Sequence, residues 1–193
     1  MTLLDAAVDE LIERGYANLT TSAVAYRAGV SRGAQQRYFP HKDLLVADAV
    51  HHLAQRQRVE LETSLESEPG GRARAGRALD VVFAQYSGRL FAAMIELSLA
   101  ARHDPELAPI IATEERAISR ALNECGARYL GPELARSAGF GRRWSMALAT
   151  ARGVALLSLL GHPPEVVGRQ WAFARGRLLR LLLDENESER TSR

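Results

Sequence analysis

The chain has 193 residues and a single cysteine, Cys125, which can neither close an internal disulfide nor build a cysteine metal site within one chain. It reads as a small buried thiol. Long apolar runs are missing too. The longest, around Val154 to Leu160 and Leu178 to Leu183, fall well short of a bilayer span, so no membrane partner is expected. Asp5, Asp9 and Glu10 stand where a secretory leader needs a basic head and an apolar stretch, and a cytoplasmic location is expected. The histidines at 41, 51, 52, 103 and 162 form no HExxH, triad or metal-ligand spacing, and no GxGxxG or GKS/T phosphate loop occurs. His51 and His52, adjacent on a helix, point about 100° apart, which suits no single metal. The expectation is a chain that is not an enzyme, with no catalytic residue, metal or cofactor.

Strand-like alternation and internal repeats are also absent, and what remains is helical periodicity cut by clear breakers. After the first 40 residues a long pattern from about 41 to 66 ends before Pro69, Gly70 and Gly71. A second runs from 72 to 102 with a bend near Gly88, and a third from Pro105 to Tyr129. Two more, 133–160 and 163–183, are split by GHPP at 161–164. With 47% hydrophobic residues the chain can hold one small domain and one larger core. The tail from Asp184 to Arg193, DENESERTSR, is polar enough to be disordered.

The most informative stretch is residues 20–45, TTSAVAYRAGVSRGAQQRYFPHKDLL. Thr20 or Thr21 can cap a helix with Val24, Ala25 and Ala28 inward; Gly29 ends it, Val30 drops into the core, and Ser31 caps a short second helix that Pro40 stops. Between Thr20 and Lys42 stand Arg27, Arg32, Arg37 and Lys42 with no acid, a strip that favours a phosphate backbone. Lys42, the only lysine among 25 Lys plus Arg, can reach a phosphate from the next helix or serve as a solvated surface residue. Before this segment, Leu4, Ala7, Val8, Leu11 and Ile12 mark the inner face of a supporting helix that ends at Gly15. Its opposite face, Asp5, Asp9, Glu10 and Glu13, repels phosphate and should point away from a duplex or flank it only at the helix's positive end.

Gly15 and Tyr16, AGVSRGA at 28–34, YFP at 38–40 and Lys42 together resemble the DNA-binding domain of the TetR family of bacterial transcriptional regulators, over about the first 50 residues. The resemblance implies that Thr20, Thr21 and Lys42 contact phosphates. It also implies that Ser22 and the face formed by Arg32, Gly33, Ala34, Gln35, Gln36, Arg37 and Tyr38 meet the groove. Many relatives carry an apolar residue and a tyrosine where this chain has Gln35 and Gln36, and a histidine at the place of Tyr38. Two glutamines cannot both be buried without unsatisfied amides, so at least one faces DNA or solvent. Arg32, Gln36 and Arg37 are the first candidates for base contacts, because Arg reads guanine and Gln reads adenine.

An all-α fold follows: a three-helix helix-turn-helix domain at 1–45 and a larger helical ligand-binding and dimerisation domain at 46–183. One side of helix 133–160 offers Ala147, Ala151, Val154, Leu157 and Ser158, and helix 163–183 offers Val167, Trp171, Ala174 and Leu178. These stripes either line a homodimer's four-helix bundle, which the resemblance favours, or fill the monomer's own core. Phe83, Tyr86, Leu90, Met94, Leu97, Trp144 and Leu148 are the candidate pocket for a small hydrophobic or aromatic ligand, with plain core as the competing reading. The expected partners are a palindromic double-stranded operator and a second copy of the chain. The function implied is a repressor released by its ligand; the alternative is a DNA-binding regulator controlled by a protein partner or by dimer concentration.

Overall fold

The computed structural model describes the backbone of residues 2–64 and 71–183, and the side chains there except at 56–64 and at Cys125. The expectations for the Cys125 thiol and for the tail from Asp184 lie outside the described residues. The fold is all-α, with no strand among the described residues. In chain order the helices are α1 (Leu3–Asn18), α2 (Thr21–Ala28), α3 (Arg32–Tyr38), α4 (Lys42–Ser64), α5 (Arg72–Tyr86), α6 (Arg89–Ala101), α7 (Leu107–Leu130), α8 (Pro132–Ala135), α9 (Phe140–Leu159) and α10 (Pro164–Leu183).

The first helix starts on a capping box. Thr2 Oγ1 accepts the Asp5 N–H at 3.1 Å, and the Asp5 carboxylate accepts the Thr2 N–H at 3.1 Å. At Gly15 the backbone leaves helical angles (φ +72°), a conformation that a side chain would strain, and this turn brings Tyr16 into the core. Thr20 caps α2 through Ala23 N–H at 3.2 Å, Gly29 (φ +70°) ends it, and Ser31 caps α3 through Ala34 N–H at 3.2 Å. The helix-turn-helix signals therefore act where the sequence puts them. Val30 does not: it is exposed rather than part of the core.

Two expected helices are each broken in two. The 72–102 pattern stops at Tyr86, where Ser87 N–H and Oγ both bond to the Phe83 carbonyl at 2.9 Å, and resumes at Arg89. The 133–160 pattern becomes α8 and α9, separated by Gly139 (φ +73°). The buried Arg143 holds that turn, donating to the Ala138 carbonyl at 2.6 Å and to Ser137 Oγ at 2.7 Å.

The described residues form two compact units. The first takes in Met1–Val59 and Gly88–Ile118, the second Glu60–Ser87 and Ser119–Arg193. The first is thus wider than the expected 1–45 segment, and there is a physical reason. Three short helices expose too much of α1, and Leu90, Ala93, Met94 and Leu97 of α6 cover it, sharing one core with Ala7, Val8, Leu11, Val24, Leu45, Val46 and Val50. In the second unit Trp144 is fully buried and donates Nε1–H to the Leu122 carbonyl at 3.1 Å. Trp171 stacks on Phe83 at 4.3 Å and donates to Asp80 at 3.1 Å, and Arg175 Nε donates to the same carboxylate at 2.7 Å.

Gly126 of α7 lies directly against the Trp144 indole, so a methyl group there overlaps the ring, and neither backbone nor a fully buried tryptophan can yield easily. Gly126→Ala is expected to destabilise the protein by about 1–3 kcal/mol, read as a lower urea midpoint with unchanged slope.

Candidate nucleic-acid interface

The seven residues of α3 are almost wholly outward. Arg32, Gly33, Ala34, Gln36, Arg37 and Tyr38 are all exposed, and Gln35 alone is buried. Among the described residues neither Arg32, Gln36 nor Arg37 has a side-chain partner, so two guanidiniums and an amide stand free on one short helix. A side chain at Gly33 would meet open space, so this surface can approach a partner closely. Ser22 and Thr20 are exposed beside it and Thr21 is half-buried, with the Thr20 hydroxyl engaged as the α2 cap. Tyr26, not among the residues selected from sequence, is 91% exposed on α2.

Two expected contacts are occupied otherwise. Gln35 turns inward at 3% exposure, and its Nε2 donates to the Phe39 carbonyl at 2.6 Å, so the amide closes the C-terminus of α3 and is not presented to a groove. This resolves the two-glutamine conflict, with Gln36 the outward one. Arg27 leaves the basic strip altogether. Its Nε bonds to Glu10 at 2.8 Å, its Nη1 to Glu13 at 2.9 Å, its Nη2 to the other Glu13 oxygen, and Asp9 lies 3.8 Å away. The acidic face of α1 is therefore the seat of Arg27, and it permits Glu10 to be buried at 2% exposure with Arg14 at 3.2 Å on its other oxygen. Asp9 is shared further with Arg89 at the start of α6. The Arg27 hydrogen bond holds the Glu13 carboxyl below the usual carboxylate range.

Lys42 opens α4. Its Nζ lies 4.1 Å from the Tyr16 ring centroid and donates to the Tyr16 carbonyl at 3.4 Å. The Tyr16 hydroxyl donates to Asp43. Burial, followed by that carboxylate, holds the Tyr16 phenol well above its ordinary range.

The residues selected for a ligand pocket do not come together in one unit. Leu90, Met94 and Leu97 fill the core under α1, whereas Phe83, Tyr86, Trp144 and Leu148 belong to the second unit, where Arg152 lies 5.4 Å over the Tyr86 ring. Of the residues selected for a dimer surface, Ala147, Ala151, Val167, Trp171 and Leu178 are buried in the second unit itself. Val154, Leu157 and Ala174 are half-buried and Ser158 is exposed. The outward apolar side chains of these helices are Met146, Leu159, Leu160 and Phe173. No group of three or more His, Cys, Asp or Glu able to hold a metal occurs among the described residues, and no described helix is long and apolar enough to cross a membrane.

Arg27→Ala is expected to lower the denaturation midpoint at neutral pH while leaving the salt dependence of DNA binding as in the wild type. Because the Glu13 carboxyl is lowered in the folded state, the pair stabilises above the ordinary carboxylate range, and its contribution fades as pH falls through the folded value. The gap in stability between wild type and variant should therefore narrow on acidification.

Comparison with known proteins meets the same segment. Residues 3–49 match the sequence model of bacterial regulatory proteins, tetR family. An uncharacterized HTH-type transcriptional regulator of Mycobacterium tuberculosis is 32% identical over 105 residues, 54% of this chain and 54% of that protein. The chain thus spans about half the length of the curated relatives it matches. A transcriptional regulator of Rhodococcus sp. Rha1 superposes with a TM-score of 0.65 at 27% identity, covering 92% of this chain and 94% of that one. A regulator of Saccharomonospora viridis, solved in complex with choline, superposes with a TM-score of 0.74 at 15% identity over 90% and 92% of the two chains. The helix-turn-helix segment at the start of the chain thus matches the tetR family of bacterial regulatory proteins, and the described fold is similar to that of transcriptional regulators along nearly its whole length.

Proposed function

We propose that the protein is a dimeric, sequence-specific DNA-binding transcriptional regulator, a repressor that a small apolar ligand releases from its operator. The observation that carries this reading is the outward face of α3, where Arg32, Gln36 and Arg37 stand without partners. Nearby carboxylates are occupied, Glu13 by Arg27 and Asp43 by Tyr16. Arg32 and Arg37 suit guanine and Gln36 suits adenine in a major groove, Thr21 and Lys42 flank them for phosphates, and Gly33 permits close approach.

One short recognition helix supplies little specific contact, and a two-fold pair with helices about 34–36 Å apart supplies twice as much. The second copy would meet the outward face of α9 and α10. Met146, Ala149 and Gly153 follow helical spacing on α9, with Leu160 just past its end, and Ala172, Phe173 and Gly176 do so on α10, with small residues that let helices approach. This face replaces most of the residues expected from sequence, which the second unit buries itself. Release would require a ligand that binds better to the form whose recognition helices no longer match the groove, since equal affinity for both forms moves nothing. The choline bound by the Saccharomonospora viridis protein favours a small-molecule input. In this chain Tyr86, with Arg152 over its ring, and the stacked Phe83 are the aromatic groups from which a pocket in the second unit would be built.

Gel shifts on the DNA upstream of the protein's own gene, with excess competitor, test the reading. Arg37→Ala and Gln36→Ala should each cost about 1–3 kcal/mol at particular base pairs and relax preference there. Equal loss on every sequence would remove the base-reading assignment. Phe173→Glu should turn the dimer into monomers by sedimentation and abolish operator binding without lowering helical content; an unchanged sedimentation coefficient would place the dimer surface elsewhere.

A further inference from the structure

We propose that Tyr16 is a positioning residue that decides which charge the start of α4 offers to DNA: its ring holds the Lys42 ammonium, and its hydroxyl ties back the Asp43 carboxylate. The proposal rests on the DNA-binding reading above and adds to it a residue with no contact to the duplex.

Lys42 and Asp43 are neighbours of opposite sign on the first turn of α4. Left to themselves they would oppose each other, since Lys42 attracts phosphates and a free Asp43 carboxylate beside it repels them. Tyr16 arrives from the end of α1, 26 and 27 residues upstream, on the turn that Gly15 makes at φ +72°. It is almost fully buried, so its position is fixed by the core. Its hydroxyl donates to Asp43 Oδ1, the ring lies 4.1 Å beneath Lys42 Nζ, and its carbonyl accepts from that ammonium at 3.4 Å. An ammonium has three donors, so one bond to the carbonyl leaves two for a phosphate. The lysine stem is partly buried along the way, which restricts its rotamers before DNA arrives.

The test uses the full chain and a mixed-sequence duplex, because a phosphate contact acts on every sequence. Lys42→Ala should weaken binding and reduce the slope of log affinity against log salt by about 0.9. Tyr16→Phe keeps the ring and should keep that slope, yet weaken binding several-fold because the Asp43 carboxylate is released. Asp43→Asn removes a negative charge in any background, so the comparison is between backgrounds. Its gain in affinity should be larger beside Tyr16→Phe than in the wild type; equal gains, or wild-type affinity for Tyr16→Phe alone, overturn the proposal. In DNA-free wild type, the Lys42 ε-methylene protons should resonate upfield from ring current, and an ordinary shift likewise overturns it, whatever the folding of the variants. If Lys42→Ala and Arg37→Ala both leave duplex binding untouched while the upfield shift is present, the DNA-binding reading fails and the Tyr16 placement does not.

Discussion

A helix of seven residues does not hold its shape in water, and α3 is such a helix. Everything in the first unit follows from having to fix it with nearly all its side chains pointing outward. Only Gln35 faces inward, and it spends its amide on the Phe39 carbonyl. The rest of the support comes from the ends, through the Ser31 cap and the stop before Pro40, and from the apolar floor of α1, α2 and α4. That floor would be open on one side, and α6 closes it with Leu90, Ala93, Met94 and Leu97. The helix-turn-helix is therefore not a self-contained module of 45 residues in this chain.

Charge is allocated as carefully as apolar area. The four cations between Thr20 and Lys42 divide by the carboxylates that their neighbours supply. Arg27 is taken by the acidic face of α1, which orients α2, while Arg32 and Arg37 have no carboxylate partner among the described residues. Asp9, touched by Arg27 and by Arg89, joins α2 to α6 through α1. The pairs at Asp9 are partly exposed and contribute little stability each, but with the Arg27 bond to the buried Glu10 they fix how α2 sits, and α2 carries the turn that aims α3. Lys42 is held between these extremes, parked on a ring with donors to spare.

Local signals were legible in the sequence and long-range pairings were not. Thr20, Gly29, Ser31 and Pro40 act within three or four residues of where they stand, so caps, turn and helix limits could be read directly. The break at Ser87 falls at the bend expected near Gly88, whereas that at Gly139 was harder, because it is held by the Arg143 side chain. The inward stripe of α6 was visible as a stripe, but periodicity does not say which helix covers it, and it lies under α1 rather than with Phe83 and Trp144. The same ambiguity separates Ala147, Ala151, Val167 and Trp171, which the second unit buries, from Met146 and Phe173, which remain outward. Arg27 left the basic strip because Glu10 and Glu13, more than a dozen residues earlier, come to lie beside it.

The central claim is that two copies of α3 read two half-sites of one duplex. Selecting bound sequences from a random DNA pool with the purified full chain tests it most directly. The account predicts enrichment of an inverted repeat whose half-site centres lie one helical turn, about 10–10.5 base pairs, or a multiple of it apart. Enrichment of a lone half-site would contradict the dimer, and a pool that stays random while binding falls steeply with salt would contradict sequence reading by Arg32, Gln36 and Arg37.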